Sequence, residues 1–230
     1  MKTEQNIVDK AYRLFQGRCY HFNGYTPSLN KEEQAMFKGK DVPRAISYTH
    51  FREAVERYGI HPKKMLTFSA ANDFEMQAIP HNKDDAWDNI VYEENPDAHD
   101  VQSLNLPEKD YDFTMLNQTF EHIVDPHAAI KNLYEHLRPG GYFYANWPIV
   151  NIRHAEPLHF FTGLTVTYIN YLSLLVGFNI LECGCWGNKH YIDFLFEHNS
   201  WPDYTQLPHL VNDMNCPCIG WILCQKPEKE

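Results

Sequence analysis

The side chains best suited to chemistry in this chain are three histidines that follow predicted strands. His122 comes soon after a short apolar run, and His154 and His159 lie in a predicted loop at residues 149–161. A histidine with an ordinary pKa can take a proton from a hydroxyl group at neutral pH. His154 is therefore the first candidate general base, followed by His159 and then by His122. Glu156, in the same loop, could orient the imidazole of His154.

A predicted strand–helix–strand unit positions His122. Residues 113–116 are apolar and bounded by polar residues, as in a strand buried on both faces of a parallel sheet. Asp125 and Pro126 suit the N-cap and first position of a helix. Residues 142–147 predict the next strand after a Pro-Gly-Gly turn. Because ligands bind beyond the carboxyl ends of strands in open α/β sheets, we expect a ligand crevice directly after the first of these strands.

Hydrophobic spacing and turn residues predict the other elements. The predicted helices occupy residues 5–16, ended by Gly17, and 42–58, ended by Gly59, and a further helix follows a cap at Thr162 or Thr165. The remaining predicted strands occupy residues 65–68, 88–93, 179–183 and 220–225, while residues 191–196 suit a strand or an insertion. Helices that alternate with strands in this way predict an α/β protein.

The order of these motifs resembles the class I S-adenosylmethionine-dependent methyltransferases, a family with a Rossmann-like fold. The resemblance is carried by YDFTMLNQTFEHIVDP at residues 111–126, LRPGGYF at 137–143 and EPLHFFT at 156–162, and it extends over about residues 62–225. It implies a three-layer αβα fold with a doubly wound, mostly parallel seven-stranded sheet, whose third strand is expected to be very short or lost. Residues 1–45 would form an N-terminal helical cap or lid, and residues 46–230 the methyltransferase domain.

The resemblance implies S-adenosylmethionine as the cofactor and assigns its contacts by position. These positions are Ser69, Ala70, Ala71 and Asn72 in the turn after the first strand, Glu93 with Glu94 as the alternative for the ribose, Asp100 and Val101 for the adenine, and Asn117 and Gln118 for the methionine portion. The family expects glycines in the first turn, whereas this chain has none between Gly59 and Gly140. This first motif is therefore degenerate, although small residues and an Asn that tolerates the left-handed region can preserve the turn.

The resemblance also implies an O-methyltransferase that acts on a small molecule. The EPLHFFT segment is similar to methyltransferases of polysaccharide and natural-product biosynthesis, so a sugar or sugar-linked hydroxyl is the expected acceptor. Aromatic side chains suited to stacking on a sugar are Tyr20, Phe22, Tyr25, Trp147, Phe160 and Phe161. Two alternatives stay open: a catalytically inactive methyltransferase-like binding protein, and a zinc-stabilised binding module built on the pairs Cys183/Cys185 and Cys216/Cys218.

Composition and charge argue against other classes of function. The formal net charge of -10 and the lack of a basic stripe disfavour binding to nucleic acid. No apolar stretch reaches membrane-spanning length, so no membrane partner is expected and the protein is predicted to be cytoplasmic. The 13 histidines are scattered, and the Cys-x-Cys gaps are tighter than those common in zinc sites, so no metal is expected. A homodimer is compatible with this sequence.

Overall fold

The computed structural model describes residues 2–19, 24–25, 29–68, 70, 73–107, 109–207 and 209–228. Within them the α-helices are α1 (Lys2–Cys19), α2 (Lys31–Met36), α3 (Val42–Tyr58), α4 (Pro96–His99), α5 (Pro126–His136), α6 (Val166–Val176) and α7 (Lys189–His198). The strands are β1 (Lys64–Phe68), β2 (Ala86–Ile90), β3 (Tyr111–Asn117), β4 (Leu137–Pro148), β5 (Asn179–Trp186) and β6 (Ile219–Gln225). This content and order are those of an α/β protein, as predicted.

The strands form one mixed sheet in the order β2-β1-β3-β4-β6-β5. β2, β1, β3 and β4 run parallel to one another, and β6 is antiparallel to both β4 and β5. After β1 the chain forms β2 on one side of β1, and it then forms β3 on the other side. This reversal opens a crevice beyond the carboxyl ends of β1 and β3, where ligands bind in open α/β sheets.

Helices cover both faces of the sheet and give the expected three layers. α3 and α7 pack on one face, where Phe51 stacks on Tyr144 with ring centroids 3.9 Å apart. α5 and α6 pack on the other face, where Phe143 stacks on Phe178, and α1 packs against α6 and β5. The side chains of the adjacent β4 residues Phe143 and Tyr144 therefore pack on opposite faces of the sheet. Burial on both sides explains why the central strands are continuous apolar runs in the sequence.

The sheet has six strands within the described residues, one fewer than the seven expected. The missing strand would precede Asp100, where the chain instead forms a 3-10 turn at Tyr92–Glu94 and the short helix α4. Pro96 opens α4, and a proline has no N–H to donate to a strand ladder. β2 is consequently an edge strand with largely exposed side chains.

Local capping signals mark the predicted boundaries of three helices correctly. α3 begins and ends at the predicted residues, with Gly59 at φ +58° as its left-handed cap. Asp125 accepts a hydrogen bond from the backbone N–H of Ala128 and so caps α5. Of the two predicted caps for α6, Thr165 is the one used.

Two predictions about elements are wrong. Gly17 does not end the first helix, because α1 continues past it, and a single glycine costs a helix only about 1 kcal/mol relative to alanine. For residues 191–196 the strand alternative is wrong, because they belong to α7; the other alternative, an insertion, is compatible with this helix between β5 and β6. Asn188 caps α7. The two buried residues of this helix, Tyr191 and Leu195, are four positions apart, which is the spacing of one face of a helix.

The N-terminal region is continuous with the layers around the sheet. α1 packs against α6 and β5, and the boundary predicted at residue 45 falls inside α3. A lid role for residues 1–45 stays a prediction. None of the helices in the described part combines the length and hydrophobicity that a bilayer span requires.

Candidate functional site

A cleft of about 460 Å³ lies at the carboxyl ends of β1, β2 and β3. Apolar side chains form part of its lining, and ionisable and amide side chains form the rest. Its polar lining includes Arg44, Asp73, Glu93, Asp100, Gln102, Asn117, Gln118, Thr119 and His122. A cavity of this size with a mixed lining suits a small-molecule ligand. The cleft lies at the sheet edge where the sequence predicts a crevice.

The predicted ribose residue Glu93 stands at the wall of this cleft. It lies in the 3-10 turn after β2, which is shorter than the strand predicted at residues 88–93. Its exposed carboxylate makes no hydrogen bond within the described residues, whereas the alternative acid, Glu94, does not line the cleft. Glu93 is therefore free to accept hydrogen bonds from a ligand, and its contact with ribose stays a prediction.

The predicted adenine residues lie on the same wall. Asp100 accepts hydrogen bonds from the backbone and side-chain N–H groups of Gln102, at 2.9 Å each. Val101 is buried and belongs to the apolar cluster that also contains Phe68 and Ile123, both of which line the cleft. A planar apolar ring would gain free energy by lying against this surface.

Asn117, at the end of β3, brings a buried acceptor to the cleft. Its Nδ2 donates to Oδ2 of Asp73 at 3.0 Å, and its Oδ1 is buried with no hydrogen-bond partner within the described residues. Gln118 follows with φ +46°, and its side chain donates to Oδ1 of Asn146 at 2.7 Å. Because a buried acceptor without a partner costs free energy, a ligand that donates to Oδ1 of Asn117 would bind favourably.

Arg44, near the start of α3, is a charged cleft residue that the sequence analysis missed. Its Nε and Nη2 donate to the two carboxylate oxygens of Glu75 at 2.9 Å each, and Nη2 also pairs with Asp73. Burial alone would lower the pKa of Arg44, but the charges and hydrogen bonds of Glu75 and Asp73 outweigh it and raise that pKa. Arg44 is thus a fixed cation, and its Nη1 has no partner within the described residues.

The turn after β1 is only partly described. Ser69, Ala71 and Asn72, three of the four residues predicted to approach the cofactor there, lie outside the described residues. Ala70 is buried, and its backbone N–H donates to Oδ1 of Asn89 at 2.8 Å. Because Ala70 does not line the cleft, its contact with a cofactor stays a prediction.

The three predicted catalytic histidines meet beside the cleft around a buried carboxylate. The ring centroids of His122 and His154 are 4.9 Å apart, and those of His154 and His159 are 4.7 Å apart. The Nε2 atoms of His122 and His154 lie 3.8 and 3.9 Å from Oε1 of Glu121. His122 lines the cleft, and the loop that contains the other two is anchored where the backbone N–H of Phe160 donates to the Glu121 carbonyl at 2.8 Å.

Backbone contacts assign the tautomers of these rings. Nδ1 of His122 is 3.0 Å from the Leu158 carbonyl, and Nδ1 of His154 is 2.9 Å from the Ile152 carbonyl. Because a carbonyl only accepts, each Nδ1 carries a proton and each neutral ring keeps a free lone pair on Nε2. His159 differs, since its Nδ1 accepts from the backbone N–H of His154 and its buried Nε2 has no partner within the described residues.

Glu121 is the acid of this cluster, and the sequence analysis missed it in favour of Glu156. Burial raises the pKa of Glu121 to about 7, and its Oε2 has no hydrogen-bond partner within the described residues. Glu156 instead pairs with Arg153 at the surface. The signal available in the sequence was the Glu121-His122 pair itself, which sets a carboxylate beside a candidate base.

The two Cys-x-Cys pairs do not form a metal site in the described part of the chain. Sγ of Cys185 contacts the sulfur of Met214, and Sγ of Cys218 contacts the carbonyl of Asn188. Within the described residues, the side chains grouped closely enough to hold a metal ion are Glu121, His122 and His154. A zinc-stabilised module built on the cysteines therefore has no support from this structure.

The chain belongs to a methyltransferase family. A family model described as a methyltransferase domain matches residues 13–216, which is most of the chain. Together with the layered α/β fold, this match makes the protein a member of the class I S-adenosylmethionine-dependent methyltransferases, as its motifs predict. No curated protein gives a significant sequence match to the chain.

Several solved structures are similar in fold. A proposed sarcosine dimethylglycine methyltransferase from Galdieria sulphuraria has a TM-score of 0.53 at 11% identity, covering 98% of this chain and 100% of that chain. The [4+2]-cyclase SpnF has a TM-score of 0.51 at 13% identity, covering 97% of this chain and 93% of that chain. At such low identity the likeness shows the fold alone, and a cyclase among these structures shows that the fold does not fix the reaction.

Proposed function

We propose that this protein uses S-adenosylmethionine to methylate a hydroxyl group of a small molecule. The observation that carries the proposal is the cluster of Glu121, His122 and His154 at the border of the cleft. Family membership supports methyl transfer, and two imidazoles with free Nε2 lone pairs support removal of a proton from a hydroxyl acceptor. The cluster and the cleft are adjacent because His122 belongs to both.

The residues of the cleft fit S-adenosylmethionine, which supplies a methyl group activated on a sulfonium. The carboxylate of Glu93 can accept hydrogen bonds from ribose hydroxyls, since it makes no hydrogen bond of its own within the described residues. Oδ1 of Asn117 can accept from the ammonium group of the methionine portion, and Nη1 of Arg44 can donate to its carboxylate. These contacts would orient the methyl group, and orientation supplies much of the acceleration of a displacement reaction.

A sugar or a sugar-linked hydroxyl is the acceptor that we propose. The EPLHFFT segment supports this choice through its resemblance, and exposed aromatic faces support it in the structure. Phe160 lines the cleft and is 44% exposed, and Trp201, also 44% exposed, packs edge-on against His154. Such faces can stack on a sugar ring. Trp147 cannot take that role because it is fully buried, and Tyr20 and Phe22 lie outside the described residues.

Two measurements, made one after the other, test the proposal. Calorimetry with S-adenosylhomocysteine determines whether the cofactor site binds, and we expect one site per chain. Transfer of labelled methyl groups to a panel of saccharides, other alcohols and matched amines then determines the acceptor, and we expect label on hydroxyl groups. Absence of binding would favour the inactive methyltransferase-like binding protein. Label on amines alone would contradict the hydroxyl assignment.

A further inference from the structure

We propose that Glu121, His122 and His154 bind a divalent transition-metal ion at the border of the cleft. The donor atoms of these three residues all lie within 4.8 Å of one another. Ligand atoms bound to one ion at ~2.0–2.2 Å are about 3–4 Å apart, so separations of 3.8 and 3.9 Å from Oε1 of Glu121 already suit a shared ion. The site therefore needs only small side-chain rotations to close.

Both imidazoles are held in the orientation that metal binding requires. A histidine that ligates a metal typically donates its other ring N–H to a carbonyl or carboxylate, which fixes the tautomer and the ring plane. The Leu158 and Ile152 carbonyls accept from Nδ1 of His122 and His154 in this way. The Nε2 lone pair of each ring is left free, and both Nε2 atoms are close to the same oxygen of Glu121.

The third ligand, Glu121, is a carboxylate in need of a partner. Glu121 is 2% exposed, and its Oε2 is buried with no hydrogen-bond partner within the described residues. No lysine or arginine in that part of the chain forms an ion pair with it. Burial of an unpaired carboxylate is costly, and coordination of a cation would remove that cost.

The donor set determines the kind of ion. Two imidazoles and one carboxylate suit Mn²⁺, Fe²⁺, Co²⁺ or Zn²⁺, whereas Mg²⁺ and Ca²⁺ prefer oxygen ligands throughout. Three protein ligands leave coordination positions open, and His122 places the site beside the cleft. With the ion bound, the Nε2 lone pairs of His122 and His154 are used for coordination and cannot take a proton. On the proposed function, an acceptor hydroxyl would then bind at an open position, where the ion would lower its pKa in place of the histidine base; metal binding itself does not rest on that function. The adjacent Glu121 and His122 are visible in the sequence, but α5 and β4 separate them from His154, so the three-residue site is not.

The test uses the full chain after a chelator has removed any metal. Calorimetry with Zn²⁺ measures stoichiometry and affinity, and the absorption spectrum of added Co²⁺ reports coordination by the protein. We expect one ion per chain, and a loss of affinity in E121Q and H154N that exceeds the ~10–100-fold typical of changing only a residue that supports a ligand. H190A is the matched control because His190 and His209 form another ring pair, 5.7 Å apart, that could bind metal adventitiously.

Titration with S-adenosylhomocysteine separates this proposal from misfolding and from the proposed function. E121Q and H154N should keep the wild-type affinity for this ligand, since neither Glu121 nor His154 lines the cleft. If E121Q fails to fold, H154N decides alone, because His154 lies in a loop and is 24% exposed. A wild-type chain that binds neither ion, or variants that bind as tightly as the wild type, would overturn the metal site and leave methyl transfer in place.

Discussion

Asn117 donates from Nδ2 to Oδ2 of Asp73 at 3.0 Å, and this bond leaves Oδ1 of Asn117 as the buried atom without a partner. The opposite amide orientation would set Oδ1 against a carboxylate oxygen, so the hydrogen-bond network assigns the acceptor to the open side. Asp73 is itself held by Arg44. The end of β3 therefore presents an acceptor for a donor group of the ligand, such as the ammonium of S-adenosylmethionine.

Loss of this acceptor should weaken cofactor binding. We expect Asn117→Ala to raise the Kd for S-adenosylhomocysteine by about 10–100-fold, because a hydrogen bond to a charged group contributes about 1.5–3 kcal/mol. Calorimetry measures the change, and Asn215→Ala, at an exposed position outside the cleft, is the control. Equal affinities for the two variants would remove Asn117 from the binding site.

The two neighbouring acids after β2 offer a matched comparison. Glu93 lines the cleft and Glu94 does not. We expect Glu93→Gln to weaken binding of S-adenosylhomocysteine by about 1–3 kcal/mol, since the ribose hydroxyls lose a charged acceptor, and Glu94→Gln to leave it unchanged. The reverse pattern would move the ribose contact to Glu94, and no effect from either change would contradict the cofactor orientation.

The histidine cluster should affect turnover without affecting cofactor binding. We expect His154→Ala to lower turnover by ~10²–10⁴-fold while the affinity for S-adenosylhomocysteine stays the same. His190→Ala, an exposed histidine elsewhere, should have wild-type turnover. If His159→Ala or His122→Ala is the inactive variant instead, the base is reassigned within the cluster. Normal turnover in all three would show that catalysis is by positioning alone.

Two arginines of α3 should differ greatly in their contribution to stability. Arg44→Met leaves the Glu75 carboxylate, which is 0% exposed, without its cation, and should cost about 3–5 kcal/mol in the free energy of unfolding. Arg57→Met breaks an ion pair with Glu182 in which the arginine is 56% exposed, and should cost at most about 1 kcal/mol. Urea unfolding measures both losses. Similar losses in the two variants would contradict a large contribution of the Arg44–Glu75 pair to the free energy of unfolding.

His50 should make stability depend on pH below neutrality. Its ring stacks on Trp221 with centroids 4.8 Å apart, and burial lowers the pKa of His50 from 6.5 to about 4, although Glu182 opposes the shift. The folded chain therefore binds this proton less tightly than the unfolded chain. His50 does not affect the free energy of unfolding above about pH 6.5. As the pH falls from there toward 4, His50 lowers that free energy.

Substitution of His50 should reduce this loss. We expect His50→Gln to lower the acid-dependent decrease in unfolding free energy between pH 6.5 and 4 by on the order of 2 kcal/mol, relative to the wild type. His61→Gln, which changes an exposed histidine, is the control. The same pH dependence in all three proteins would contradict the assignment.

Local signals made part of this structure predictable. The unit of β3, α5 and β4 follows from a short apolar run, the Asp125-Pro126 helix start and a Pro-Gly-Gly turn, because each of these acts on neighbouring residues. The positions of the three histidines near strand ends were predicted for the same reason, and their catalytic role stays a prediction. The contacts of Arg44 with Glu75 and of Glu121 with His154 join residues that are distant in the sequence, and only the topology of the sheet brings them together. The third strand was expected to be very short or lost, and the short helix α4, which begins at Pro96, stands in its place.

The crystal structure of the complex with S-adenosylhomocysteine tests the central claim most directly. We expect the ligand in the cleft beyond β1 and β3, with its ribose hydroxyls hydrogen-bonded to the Glu93 carboxylate and its amino group to Oδ1 of Asn117. The sulfur should lie on the side of the cleft that His122 lines. A ligand bound elsewhere, or bound in this cleft without contacts to Glu93 and Asn117, would contradict the assignment of the cofactor site.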